Sequence, residues 1–326
     1  MPFWLALAGS ALFGAGCRAG YLHLVAMTVL LLMSRLTSVF LNRGQATRIL
    51  KFLTFSSLIW ILIGLRQLAG APTPPGWLGG LQSRIIPVRI YAVFGNPNVF
   101  AIYLLPVICW AYYLGRATAP LGRRLAYGMV LGAACTALYF TYSRTAWLIL
   151  FAGIIYGCFQ GNCRFGFKKV MINGGWALLL CLVLTDFRTR MFSLFLEKDR
   201  SVWVRPVIWK AVWQAIQTGS LWGAGPGAFA AIYPWYGRAA PWAAHAHQQY
   251  LQIWLETGLL GLIAFGLIVK RTVLPLLRGD DAAKAVAFGL IGFLMAGFTE
   301  TWTASPFLDG FFWLMIGLGG VLREKA

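Results

Sequence analysis

Charged residues are scarce in this sequence, and acidic residues are the scarcest. Only 11% of the 326 residues are charged, with nine Asp and Glu against 28 Lys and Arg. Soluble domains carry about 25% charged residues, and a soluble fold with 59% hydrophobic residues would expose adhesive apolar patches. A lipid bilayer removes that problem, because helices satisfy their own backbone hydrogen bonds in lipid. The composition therefore predicts a membrane protein built from helices.

Several motifs of enzyme chemistry are also missing. The sequence has no GxxxxGK[ST] loop, so no ATP-driven step is indicated. It has no HExxH motif and only three histidines, so a zinc site is not expected. Its one acidic pair, Asp280-Asp281, falls in a predicted cytoplasmic connection, and its six cysteines include no CxxC pair. We therefore expect chemistry that needs no metal and no nucleotide cofactor.

Ten apolar segments are candidate membrane spans, at about 2–17, 19–41, 50–65, 98–115, 125–142, 145–160, 170–185, 248–269, 284–299 and 307–322. Several are shorter than the ~20 residues that a span needs. Basic residues cluster in every second connection and at the C-terminus, and such clusters favour the cytoplasm. The sequence therefore predicts one membrane domain, 1–326, that is an all-α polytopic transmembrane helical bundle of about ten spans with both termini inside.

A long connection, 186–247, is predicted on the external side of the membrane. It is basic, and seven of its residues are Arg or Lys: Arg188, Arg190, Lys198, Arg200, Arg205, Lys210 and Arg238. A basic external loop needs an anionic partner, and two remain open here: phospholipid headgroups or a phosphorylated substrate. Nucleic acid is not expected, because most of the other basic residues flank membrane spans.

An amphipathic helix is predicted within this loop, over 206–217, with Pro206 in its first turn. Trp209, Val212, Trp213 and Ile216 form its apolar stripe. Such a helix would lie on the membrane surface with its tryptophans at headgroup level.

Two histidines, His245 and His247, lie where the external loop enters the next span. A lone histidine at such an interface is by default a solvated loop residue. Two within three residues, opening a helix beside a basic loop, favour a general base, since neutral imidazole suits that role near neutral pH. On a regular helix Glu256 would face away from His247, so we expect it to hydrogen-bond another span.

Arg144 lies at the external end of a predicted span, within Tyr142-Ser-Arg-Thr-Ala-Trp147. Two interpretations remain open for it. It is either a positional anchor or a guanidinium that binds a phosphate through two hydrogen bonds.

Together these residues resemble the O-antigen ligase and polymerase superfamily of bacterial membrane glycosyltransferases. The ligase signature, His-[Asn/Ser/Gln]-x9-Gly-x-x-[Gly/Thr/Tyr], is met by His247-Gln248, nine residues, then Gly258-Leu-Leu-Gly261. Further motifs follow the family order: Phe94-Gly-Asn-Pro-Asn98, the Ser143-Arg144 turn, Arg205 with Trp209, and Gly223-Ala-Gly-Pro-Gly-Ala-Phe229. The chain departs from the family in having ten rather than about twelve predicted spans, and Gln rather than Asn after the histidine.

The resemblance implies a GT-C-like bundle in the bacterial inner membrane, with its active site facing the periplasm. The donor would be a glycan on polyprenyl pyrophosphate, such as undecaprenyl pyrophosphate, and the acceptor a lipid, glycan or protein. Arg144 and Arg205 would hold the pyrophosphate, and His247 would deprotonate the acceptor hydroxyl. Further substrate-binding candidates are Arg200, Trp209, Lys210, His245 and Gln248, while Glu256, Gly258 and Gly261 would be structural.

Two alternatives to a ligase remain. A repeat-unit polymerase shares these motifs, so the sequence does not separate the two enzymes. Some relatives are associated with bicarbonate or solute transport, and a transporter is expected to show paired charged residues or broken helices at mid-membrane, preferably in repeated halves. The sequence has no internal repeat, which favours the enzyme.

Overall fold

The computed structural model describes residues 2–13, 18–70, 88–159, 200–219, 221–237, 240 and 242–323. Their regular secondary structure is helical, without a strand in these ranges, which confirms the all-α prediction. In chain order the helices are α1 (Pro2–Phe13), α2 (Arg18–Phe40), α3 (Arg43–Arg66), α4 (Pro97–Arg116), α5 (Leu121–Phe140), α6 (Arg144–Phe159), α7 (Arg200–Thr218), α8 (Phe229–Tyr236), α9 (Gln249–Leu277), α10 (Asp281–Ala296) and α11 (Pro306–Leu322). Short 3-10 turns cover Gln67–Ala69 and Trp302–Ala304.

Every predicted span coincides with one of these helices except 170–185, which lies outside the described residues. Four helical segments are long and apolar enough to cross a membrane: Gly20–Phe40, Arg43–Ala69, Pro97–Arg116 and Gln249–Leu277. Other apolar helices are shorter, among them Pro2–Leu12 and Pro306–Leu322. Length and composition therefore support a membrane protein, while the predicted count of ten spans is not reached in the described part of the chain.

Small residues allow the central helices to approach closely. A Cβ on Gly289 of α10 would lie 2.9 Å from the Cβ of Pro106 in α4, and one on Gly317 of α11 would lie 2.7 Å from the carbonyl oxygen of Ser34 in α2. Helices that pack in lipid use such contacts, because there is no hydrophobic force between them to compensate for poor fit.

The two ends of the bundle carry different residues. At one end, Arg43 pairs with Asp280 at 2.6 Å and Arg116 pairs with Asp281 at 3.3 Å. The antiparallel course of α4, α5, α9 and α10 places the residues around His247 at the other end. The basic connections are thus separated from the candidate site by the length of the bundle.

Helix α7 differs from its sequence prediction in both its start and its buried face. It begins at Arg200, so Pro206 lies inside it. Its buried stripe packs against α8 and comprises Val204, Ile208, Ala211, Val212 and Ala215. Trp213, assigned to the apolar stripe, is 41% exposed and meets Trp254 of α9 edge-on at 5.3 Å. The apolar face of α7 therefore packs on protein, where the sequence predicted a membrane surface.

Helix α9 is broken at Gly258, which has φ 69° and ψ −178°. The segment before α8 fills the break, since Ala224 donates its N–H to the carbonyl of Leu255 at 2.8 Å and Gly225 donates to Glu256 at 3.0 Å. A Cβ on Gly223 would lie 2.4 Å from the nitrogen of Gly258. This Gly-rich segment, 223–227, therefore fills the break in α9, and we call it the plug.

Gly258→Ala is expected to destabilise the protein, because it forces a positive φ and its Cβ would lie 2.1 Å from the carbonyl oxygen of Leu221. Backbone strain of this kind costs about 1–3 kcal/mol, before the displacement of the plug is counted. Thermal unfolding in detergent measures the effect. Gly266→Ala, in the same helix with no atom within 4 Å of its Cβ, is the matched control, and an equal loss in both variants would contradict this account.

Candidate functional site

His247 occupies a constrained junction between the loop and α9. Its φ is 49°, in the left-handed region that non-glycine residues rarely adopt. The next residue, Gln248, caps α9 by accepting the N–H of Leu251, and its own N–H donates to the hydroxyl of Thr301 at 3.1 Å. Gln249 then donates its N–H to the carbonyl of Gly297 at 2.7 Å. The junction is thus fixed to the connection between α10 and α11.

That connection supplies Glu300, a buried carboxylate in contact with His247. Nδ1 of His247 lies 2.9 Å from Oε1 of Glu300. The other oxygen, Oε2, lies 3.4 Å from a terminal nitrogen of Arg205 and accepts a hydrogen bond of 3.1 Å from Nδ2 of Asn98. Glu300 therefore brings together two candidates, His247 and Arg205, that are distant in sequence.

The electrostatics of this cluster favour an ionised Glu300. Burial alone would raise the pKa of Glu300, but the hydrogen bond and charge of His247, together with the charge of Arg205, lower that pKa to about 2. Burial and the neighbouring His247 lower the pKa of His245 to about 4. At neutral pH the cluster therefore contains a carboxylate and a neutral His245.

Asn98 is itself held by a buried arginine. Arg89 donates from a terminal nitrogen to Oδ1 of Asn98 at 3.1 Å and from Nε to the carbonyl of Thr141 at 2.9 Å. Asn98 ends one family-like motif, and Thr141 precedes the Ser143-Arg144 turn. Both motifs are thereby connected to Glu300.

Arg144 lies beside this cluster as the first residue of α6, and it is buried. Its neighbours Ser143 and Thr145 line a small cavity of about 10 Å³ together with Arg205 and Glu300. Such a volume holds about one water molecule. Arg144 and Arg205 therefore lie at the same end of the bundle, and a shared role for them in one site stays a prediction.

The other substrate-binding candidates lie at different distances from this centre. Nε1 of Trp209 donates to the carbonyl of His247 at 3.4 Å, and Nδ1 of His245 accepts the N–H of His247 at 3.3 Å. Lys210 is exposed on α7. Arg200 begins α7, and its side chain lies outside the described residues.

Glu256 has partners other than the one expected. Its Oε1 accepts from Nε2 of Gln252 at 2.7 Å, and its carboxylate also accepts backbone N–H groups of Gly227 and Phe229 at the start of α8. The prediction of a bond to another span is therefore wrong, because the segment that fills the α9 break reaches this carboxylate. Gly258 packs on that segment too.

Gly261 lies one turn after the break in α9, and a Cβ there would lie 3.6 Å from the Cβ of Ala6 in α1. A close contact between helices was expected at this glycine. The distance to α1 is an ordinary van der Waals contact, and the atoms nearest to such a Cβ belong to Thr257 of α9 itself, at 2.0 Å and 2.4 Å.

Sequence reasoning missed Glu300 and Arg89. Glu300 lies 53 residues after His247, and no local pattern connects the two. The available signal was the rarity of acidic residues, since a carboxylate at the end of an apolar helix is costly without a purpose. The fold also gathers His245, His247 and Glu300 so that their ligand-type atoms lie within 4.8 Å of one another, although the sequence indicated no such group.

The sequence profile of the O-antigen ligase family matches residues 127–266. This match, over less than half of the chain, supports the O-antigen ligase and polymerase superfamily. The match agrees with the resemblance, and with the apolar helices it supports a membrane enzyme of the O-antigen ligase and polymerase type. No curated protein matches the chain. The matched range contains Arg144, Arg205 and His247 and ends before Glu300.

Proposed function

We propose that the protein transfers a glycan from a polyprenyl-pyrophosphate carrier to an acceptor hydroxyl. The observation that carries the proposal is the contact of one buried carboxylate, Glu300, with both His247 and Arg205. A base and a cation held side by side are what a displacement with an anionic leaving group needs.

His247 is the general base in this proposal. With Nδ1 donating to Glu300, its Nε2 carries the lone pair that accepts the proton of the acceptor hydroxyl. Glu300 orients the ring and stabilises the imidazolium that forms, as the carboxylate of a catalytic triad does. The acceptor oxygen attacks the anomeric carbon, the bond from that carbon to the pyrophosphate oxygen breaks, and the single displacement inverts the centre.

The arginines stabilise the leaving pyrophosphate. A guanidinium offers five N–H donors, and the one contact of Arg205 with Glu300 is long, at 3.4 Å. We propose that the remaining donors bind phosphate oxygens and that Arg144, whose neighbours Ser143 and Thr145 line the same cavity, supplies a second guanidinium. Arg200 and Lys210 add positive charge along α7, so no metal is required for charge stabilisation.

The same proposal gives the protein an orientation. The basic end of the bundle, with Arg43 and Arg116, faces the cytoplasm by the positive-inside rule. The opposite end, with His247, then faces the periplasm, where we place the predicted external loop, 186–247, of which 186–199 lies outside the described residues. A lipid-linked glycan in the outer leaflet of the inner membrane reaches this side.

The break in α9 is relevant to the transporter alternative, because transporters also contain broken helices. Broken helices in transporters leave backbone carbonyls free to coordinate ions. Here the carbonyls of Leu255 and Glu256 accept the N–H groups of Ala224 and Gly225. This favours the enzyme, whether a ligase that moves a finished glycan or a polymerase that extends one.

The decisive experiment gives purified protein a polyprenyl-pyrophosphate glycan and an acceptor, with a chelator and without nucleotide. Transfer and release of polyprenyl pyrophosphate are expected at the rate seen without chelator, since the arginines supply the positive charge. Transfer of one finished chain indicates a ligase, and a ladder of lengths indicates a polymerase. Turnover that stops with chelator and returns with a divalent metal would contradict the metal-free mechanism.

A further inference from the structure

The side chains of His245, His247 and Glu300 form a group with the composition of a transition-metal site. Each offers one ligand atom, and these atoms lie within 4.8 Å of one another. The two imidazole rings are 4.1 Å apart between centroids. Two histidines and a carboxylate form a common ligand set for Zn²⁺, which binds such nitrogens and oxygens at about 2.0–2.2 Å.

The geometry needs only small adjustments to close around an ion. Ligand atoms of tetrahedral zinc lie about 3.4 Å apart, given those bond lengths. His247 and Glu300 are already 2.9 Å apart through Nδ1 and Oε1. Side-chain rotation of His245, in the loop before α9 and only partly buried, brings in the third ligand.

The nitrogen and oxygen ligand atoms of this group favour some metal ions over others. Nitrogen-rich sites favour Zn²⁺, Cu²⁺ and Ni²⁺, whereas Mg²⁺ and Ca²⁺ prefer sites made of oxygen atoms. An ion at this position competes with Arg205 for Glu300, which Arg205 contacts at 3.4 Å. Metal binding and the arrangement proposed for catalysis are therefore mutually exclusive.

We propose that His245, His247 and Glu300 bind Zn²⁺ and that this ion inhibits the enzyme. Coordination at Nδ1 of His247 displaces the proton of that nitrogen and leaves Nε2 protonated, so the ring has no lone pair for the acceptor proton, and the ion draws Glu300 away from Arg205. The binding site goes beyond the proposed function, and the inhibition rests on it. A membrane enzyme facing the periplasm would thereby sense excess transition metal in that compartment.

The test is calorimetric titration of ZnCl2 into the purified full chain, carried on a tag without histidine and in the absence of donor and acceptor. We expect one Zn²⁺ per chain and no binding of Mg²⁺. His245→Ala and Glu300→Gln should each weaken the affinity roughly tenfold or more, because even altered outer-shell contacts cost metal sites 10–100-fold. His23→Ala, which removes the third histidine of the chain from α2, should bind as the wild type does.

A second arm measures transfer by the wild type with increasing ZnCl2, followed by chelator. Loss of transfer that the chelator reverses is expected. Zinc affinity unchanged in both His245→Ala and Glu300→Gln would place the ion elsewhere, for example on cysteines, and would overturn the proposal. The titration uses no substrate, so its failure is distinguishable from failure of the glycan-transfer assay.

Discussion

His247→Ala is expected to reduce glycan transfer by roughly 10²–10⁴-fold, the usual contribution of a positioned general base. The alanine removes the one imidazole held by Glu300 and leaves the backbone contacts of the junction in place. The measurement is the rate of transfer from a polyprenyl-pyrophosphate glycan by purified protein. Unchanged thermal unfolding and membrane insertion would show that the loss is chemical.

His23→Ala is the matched control for this variant, since it removes a histidine from α2, and wild-type transfer is expected from it. His245→Ala should have a milder effect than His247→Ala, because His245 precedes the signature and contacts the backbone of His247. Transfer by His247→Ala near the wild-type rate would remove the general-base role.

Arg205→Lys and Arg144→Lys are each expected to lower transfer by about 10²-fold, comparable to the loss of one charge-stabilising donor. Lysine keeps the charge, but it cannot reproduce the planar, bidentate donors that a pyrophosphate would engage. The double variant should lose less than the product of the two single effects, because both side chains act on one leaving group. The assay is transfer by each purified variant at saturating donor.

Arg123→Lys is the control for the arginine variants. Arg123 is exposed at the start of α5, at the basic end of the bundle, and a charge that only anchors a helix tolerates lysine. Full activity in both Arg144→Lys and Arg205→Lys would mean that these residues are anchors too. The transporter alternative would then gain support.

The helices were the most predictable part of the fold. A continuous apolar run in the sequence marks a membrane helix, so α2, α4 and α11 were predicted close to their observed limits. Helix α7 was harder, because Pro206 indicates a first turn and yet lies inside the helix. Its buried face was set by α8, which no periodicity within α7 could reveal.

The site was predictable only in part, for a related reason. His247 and Arg205 are marked by local motifs, but their common partner Glu300 follows α10 and has no motif of its own. Likewise, the partners of Glu256 were predicted on the assumption that α9 is a regular helix. The helix is broken at Gly258, and the segment that fills the break donates backbone N–H groups to the carboxylate of Glu256. These partners come from segments that are distant in the sequence, and local motifs therefore could not indicate them.

The break at Gly258 also divides α9 into two parts of different depth. From Leu259 to Val269 the helix is apolar and rises about 16 Å, and the exposed Lys270 and Arg271 follow. In the orientation proposed above, Lys270 and Arg271 would lie at the cytoplasmic surface, and the part from Gln249 to Thr257 would lie at the periplasmic end of the helix. A pyrophosphate at that height would meet the arginines while its polyprenyl tail stays in the lipid, so the carrier need not leave the leaflet to react.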